Sequence, residues 1–184
     1  MPPAAVCDQL KRFENHHLLW KPGASSIATS FFTEGDPVTG NITEIPMSCY
    51  EIMLWAAHEA GITNQVIWAV INDLFWASAQ KNRVPTKASI VGGLKNYSGN
   101  RCMRVFGTYP HKGDLVLFST TGTNYIAHVA MATGDKYDVF TFGHDGLATT
   151  SAGGMQLPVE RMTITEVLEC NTGLTRVQFG TPPW

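Results

Sequence analysis

Runs of lysine or arginine are absent from this 184-residue chain, and charged residues make up only 15% of it. The 13 basic and 15 acidic side chains leave a formal net charge of −2, with a pI near 6.3. Binding to a phosphate backbone needs clustered positive charge, so nucleic acid is not expected as a partner. No apolar stretch approaches the roughly 20 residues that a membrane-spanning helix requires. The four cysteines, Cys7, Cys49, Cys102 and Cys170, stand far apart and none belongs to a C-x-x-C pair. Zinc sites draw on clustered ligands, so neither a metal nor a cofactor is expected. Cys7, Cys102 and Cys170 read as free, mostly buried thiols. The pieces Val91-Gly92-Gly93 and Ala152-Gly153-Gly154 have no following lysine and make no phosphate loop. The residues from Met1 to Cys7 lack a basic region followed by an apolar core, which is the layout of a Sec signal. The expectation is synthesis in the cytoplasm, with any export left to a specialised secretion system.

What the chain does have is 44% hydrophobic residues, enough for one ordered domain with a real core. Residues Asp8 to Trp20 read as an opening helix, with Leu10, Phe13, His17 and Trp20 roughly on one side. Residues 24–45 are rich in Ser, Thr, Gly and Pro and read as a long loop. A helix follows from Cys49, with Gly61 at its end, and another opens at Thr63. Three runs then follow, Asp114 to Phe118, Tyr125 to Met131 and Tyr137 to Phe142, separated by turn residues. They read as an antiparallel meander. The tail adds strands at Gln156 to Val159, Met162 to Val167 and Thr175 to Phe179. Helices first and strands later predict an α+β domain with helices packed on an antiparallel sheet. Within residues 1–184, residues 1–45 read as an N-terminal extension, 46–145 as the core that carries the site, and 146–184 as C-terminal strands.

The chemistry concentrates at Cys49 and His128. Ser48 stands where a helix N-cap belongs, and Glu51 three residues later completes a capping box. That makes Cys49 the first helical residue, where unpaired N–H groups and the positive dipole end stabilise a thiolate. A nucleophilic thiol needs an imidazole partner. His128 lies in the second strand of the meander, among alternating apolar residues, and a helix packed across its face brings Cys49 within reach. The imidazole in turn needs its second nitrogen held. His144, just past the third strand, suits that role, and Asp145 is the runner-up. Ser48 and Cys49 supply oxyanion donors, and Tyr50 and Tyr125 are candidate walls. His16-His17 and His58 have no partners at suitable spacing. Trp55, Trp68 and Trp76 read as core.

The segment Lys112-Gly113-Asp114-Leu115-Val116-Leu117-Phe118, followed after a turn by Ala127-His128-Val129-Ala130-Met131, resembles the NlpC-type cell-wall peptidases and the related CHAP amidases. The likeness runs from about Met47 to Asp145. It implies a papain-like fold, with Ser48-Cys49 at the nucleophile position, His128 at the general base and His144 at the third polar position. The spacing from Cys49 to His128 is 128 − 49 = 79 residues, long for compact members. The resemblance implies a cysteine amidase or endopeptidase acting on peptidoglycan stem peptides. A secreted antibacterial effector with a cognate immunity or inhibitor protein fits that activity. The same machinery serves a second reading, a deamidase or transglutaminase acting on glutamine in a protein target. A third reading is an interaction module on a decayed scaffold, with an unreactive Cys49.

Overall fold

In the computed structural model, which describes residues 3–21, 42–70, 90–97, 109–120, 126–143, 154–171 and 173–184, two hydrophobic cores lie on opposite faces of a single sheet. The described residues form an α+β architecture of four helices and seven strands. In chain order these are α1 (Pro3–Lys11), β1 (His17–Trp20), α2 (Glu51–Glu59), α3 (Asn64–Val70), β2 (Val91–Asn96), β3 (Leu115–Ser119), β4 (Ile126–Ala132), β5 (Asp138–Phe142), β6 (Met155–Thr163), α4 (Ile164–Cys170) and β7 (Arg176–Thr181). The sheet order is β1-β6-β5-β4-β3-β7-β2, and every neighbouring pair is antiparallel. The expected meander is the centre of this sheet, β3-β4-β5, and β6 continues it.

Side-chain alternation sorts the strands between the two cores. Leu115, Leu117, Val129, Met131, Phe140 and Phe142 face α1, α2 and α3, meeting Leu10, Ile52, Met53 and Ile67. Val116, Phe118, Ala130, Val139 and Phe179 face the other way, onto Ile164 and Val167 of α4. Both faces of β3 are therefore covered, and the strand is buried along its whole length. None of the described helices is long and apolar enough to cross a membrane.

Several sequence expectations need correcting, among them Cys170, which is exposed rather than buried. The opening helix covers Pro3–Lys11, and His17–Trp20 is a strand instead. Asn15 adopts a left-handed backbone (φ 64°) that ends the helical course, and Leu18 and Trp20 are buried where β1 pairs with β6. Pairing and burial override the helical spacing there. The stretch from Met162 to Val167 is the end of β6 followed by α4. Thr163 accepts from the Glu166 N–H, and the Glu166 carboxylate accepts from the Thr163 N–H at 2.6 Å, the reciprocal capping box that Thr163-Ile164-Thr165-Glu166 encodes. Trp68, expected in the core, is 40% exposed. Trp55 packs edge-on against Phe13, with ring centroids 4.9 Å apart. The tail of α2 follows expectation. Gly61 takes φ 79°, its N–H donates to the His58 carbonyl, and the Ile62 N–H donates to the Ala57 carbonyl, a Schellman end. Trp76, Cys102 and most of the 24–45 loop lie outside the described residues.

Candidate active site

The approach to Cys49 is tied to the sheet edge. The Met47 N–H donates to the Leu19 carbonyl and the Lys21 N–H to the Met47 carbonyl, both at 2.9 Å. Met47 thus forms a parallel bridge with Trp20, the last residue of the edge strand β1. The Trp20 indole lies flat against Gly143 at the end of β5. A Cβ on Gly143 would fall 1.8 Å from the indole nitrogen. The segment before the cysteine and the end of β5 are therefore held by one tryptophan.

The chain turns at Ser48. The Glu51 N–H donates to the Ser48 carbonyl at 3.1 Å, and the Ser48 N–H donates to the Glu51 carboxylate at 3.3 Å. The carboxylate half of the expected capping box is thus in place. Regular helix begins at Glu51, two residues later than the sequence suggested, with Tyr50 in the N-cap position. Cys49 stands in the turn that feeds α2.

Backbone N–H groups of Val129, Tyr50 and Cys49 itself act on the Cys49 sulfur, each favouring a thiolate. Burial opposes them and dominates, and the Glu51 carboxylate adds to it, so the thiol is pushed up from 9.0 to about 11. The Val129 N–H belongs to the peptide unit that joins it to His128. One of the groups that favour the thiolate thus belongs to the backbone of the histidine's own strand.

His128 is buried, as is Thr141 on the neighbouring strand. Its Nε2 lies 2.7 Å from the Thr141 hydroxyl, and its ring packs 5.6 Å, centroid to centroid, from Phe118. Phe118 belongs to the core under α4, whereas Val129 faces α2. The imidazole therefore leaves β4 on the Phe118 side, and the cysteine turn meets β4 from the Val129 side. The face of β4 that carries the imidazole is thus not the face that α2 packs on, which differs from the sequence expectation of a helix packed across it. Two irregularities frame this place. Pairing of β3 with β4 shifts register between Phe118 and Ser119, and pairing of β4 with β5 ends at Met131 and Phe140. Such irregularities re-aim side chains near functional sites.

Ser48 and Tyr50 flank the sulfur in the same turn. Tyr125, His144 and Asp145 lie outside the described residues. The sequence reading did not single out Thr141 or the buried Glu51 as site residues. A polar side chain in the apolar run Asp138-Val139-Phe140-Thr141-Phe142, beside a strand histidine, was the available signal for Thr141. Among the described residues no group of three or more His, Cys, Asp or Glu side chains is placed to hold a metal ion.

No protein-family model and no curated protein matches the chain. Among solved structures it is similar to an N-acetylmuramoyl-L-alanine amidase from Bacteroides uniformis, at 9% identity and a TM-score of 0.44, with 98% of each chain covered.

Proposed function

We propose that this chain is a papain-like thiol amidohydrolase related to the NlpC and CHAP enzymes, with Cys49 as nucleophile and His128 as general base. The reading rests first on the motif carried by Ser48-Cys49 and His128, and the Val129 N–H, in the peptide that His128 begins, favours the Cys49 thiolate. The hydrogen bond between His128 and Thr141 supports it. With Nε2–H donating to the Thr141 hydroxyl, Nδ1 is the unprotonated nitrogen, the form that accepts a proton from a thiol. Thr141 then orients the ring, a part that the sequence reading gave to His144 or Asp145.

The resting thiol is neutral near pH 7, because its pKa stands at about 11. Deprotonation therefore accompanies attack. Nδ1 takes the proton, and the sulfur adds to an amide carbonyl carbon. The N–H of Cys49 receives the developing oxyanion. One such donor contributes roughly 3 kcal/mol to the rate. The intermediate collapses to a thioester as the leaving amine takes the proton from the imidazolium. Water, deprotonated by His128, hydrolyses the thioester and restores the thiol.

The substrate class proposed is the stem peptide of peptidoglycan, on the strength of the motif resemblance from Met47 to Asp145. Digestion of purified peptidoglycan by wild type and Cys49→Ala, with products read by mass, is the test. New amine and carboxylate ends are expected from the wild type alone. Equal products from both proteins would remove the enzyme reading. Ammonia release from protein glutamine, with peptidoglycan untouched, would move the site to the deamidase class.

A further inference from the structure

A carboxylate taken out of solvent is costly unless something nearby uses it. Glu51 is 0% exposed, two positions from Cys49, and Ser48 is 5% exposed. Their backbone and side-chain groups tie to each other in both directions. The Ser48 N–H donates to the Glu51 carboxylate at 3.3 Å, and the Glu51 N–H donates to the Ser48 carbonyl at 3.1 Å. Cys49 and Tyr50 are the two residues enclosed between these bonds.

We propose that Glu51 is the positioning residue of the nucleophile turn, its buried carboxylate tying down the segment that carries Cys49 and setting a negative charge two residues from the sulfur. The inference rests on the thiol chemistry proposed above. A carboxylate this close disfavours a second negative charge on the sulfur, and Glu51 acts on Cys49 in that sense. Other ionisable side chains on the elements packed around this corner are His128 on β4, Lys21 after β1, Glu44 before Met47 and Cys7 on α1. The Cys7 thiol donates to the Ala132 carbonyl, toward the opposite end of β4. Glu51 stands apart from these in belonging to the turn itself.

The test is the pH dependence of iodoacetamide alkylation of Cys49 in the free protein, read on the Cys49 peptide by mass, with the exposed Cys170 as internal reference. Glu51→Gln keeps an acceptor for the Ser48 N–H and removes the charge. Its Cys49 midpoint is expected below that of wild type, while alkylation of Cys170 is the same in both proteins. Glu51→Asp keeps the charge, and its midpoint is expected to stay with the wild type. An unshifted midpoint in folded Glu51→Gln overturns the proposal. If that variant does not fold, the reciprocal measurement on wild type decides. The Glu51 carboxyl carbon resonance is expected to move as Cys49 ionises, and a flat resonance over that range overturns the coupling. Alkylation needs no substrate, so the two readings separate. A shifted midpoint in a protein inert on peptidoglycan defeats the amidase proposal alone. An active enzyme with an unshifted midpoint defeats this one alone.

Discussion

At the scale of single residues, the site depends on one short bond. Thr141 and His128 are both buried and joined at 2.7 Å. Thr141→Val keeps the shape and deletes the hydroxyl, leaving the buried Nε2 without that partner. Loss of such a partner costs about 1–3 kcal/mol of stability. It also frees the imidazole tautomer, so kcat is expected to fall on the order of 10²-fold, while Thr141→Ser retains most activity. Denaturant midpoints and initial rates on one substrate check both parts. Unchanged kcat in Thr141→Val would return the orienting role to another residue. Composition and spacing pointed to Cys49 and His128 because their neighbours carry local signals, a turn-and-helix start for one and a strand for the other. Thr141 carries only a weak one, a polar side chain in an apolar strand. Its role arises because β5 lies beside β4, a relation between positions 13 apart that only strand pairing creates.

At the scale of elements, the cysteine turn is assembled from three chain segments. Met47 pairs with Leu19 and Lys21, Trp20 packs on Gly143, and α2 begins just beyond Cys49. Gly143 takes φ 70°, and its missing Cβ is the space the indole occupies. Gly143→Ala is therefore expected to push Trp20 away from β5 and to destabilise the fold by about 2 kcal/mol or more, as overpacking does. A melting temperature within a degree of wild type would show that Trp20 has room to yield. The misread of residues 8–20 belongs to this scale. Leu10, Phe13, His17 and Trp20 fit a helical stripe, yet the last four residues, His17–Trp20, are claimed by β6, a strand some 140 positions away. The α4 misread is of another kind. Its capping box stood complete in the sequence, but the apolar residues Met162, Ile164 and Val167 were read as strand.

At the scale of the whole molecule, the sheet separates two cores, and on its helical side one thiol, Cys7, is buried and another, Cys49, is partly buried. Burial pushes Cys7 up to about 11 and does the same to Cys49. Their ordinary value is 9.0, so an unfolded chain ionises them at lower pH than the folded one. The unfolded state then binds fewer protons through that interval, and stability falls as pH rises from about 9 to about 11. Below pH 9 the contribution is fully present. Urea midpoints measured across this window are expected to decline in wild type and to decline less in Cys7→Ser, which removes one titrating group and keeps a donor for the Ala132 carbonyl. A flat wild-type profile would mean that neither thiol is so enclosed.

The mixture of helices and an antiparallel sheet, the central meander, the end of α2 at Gly61 and the prominence of Cys49 and His128 were determined by the sequence alone. Each rests on residues within one helix turn, one hairpin or one capping motif, where local geometry decides. The tertiary structure decided that β1 joins the sheet, that His128 and Val129 face different cores, that Thr141 lies beside the imidazole and that Glu51 is buried next to the cysteine turn. Those outcomes depend on which distant strands pair and in what register. A shift of one residue in pairing exchanges the faces of a strand, and nothing within the strand's own residues states which register burial will select.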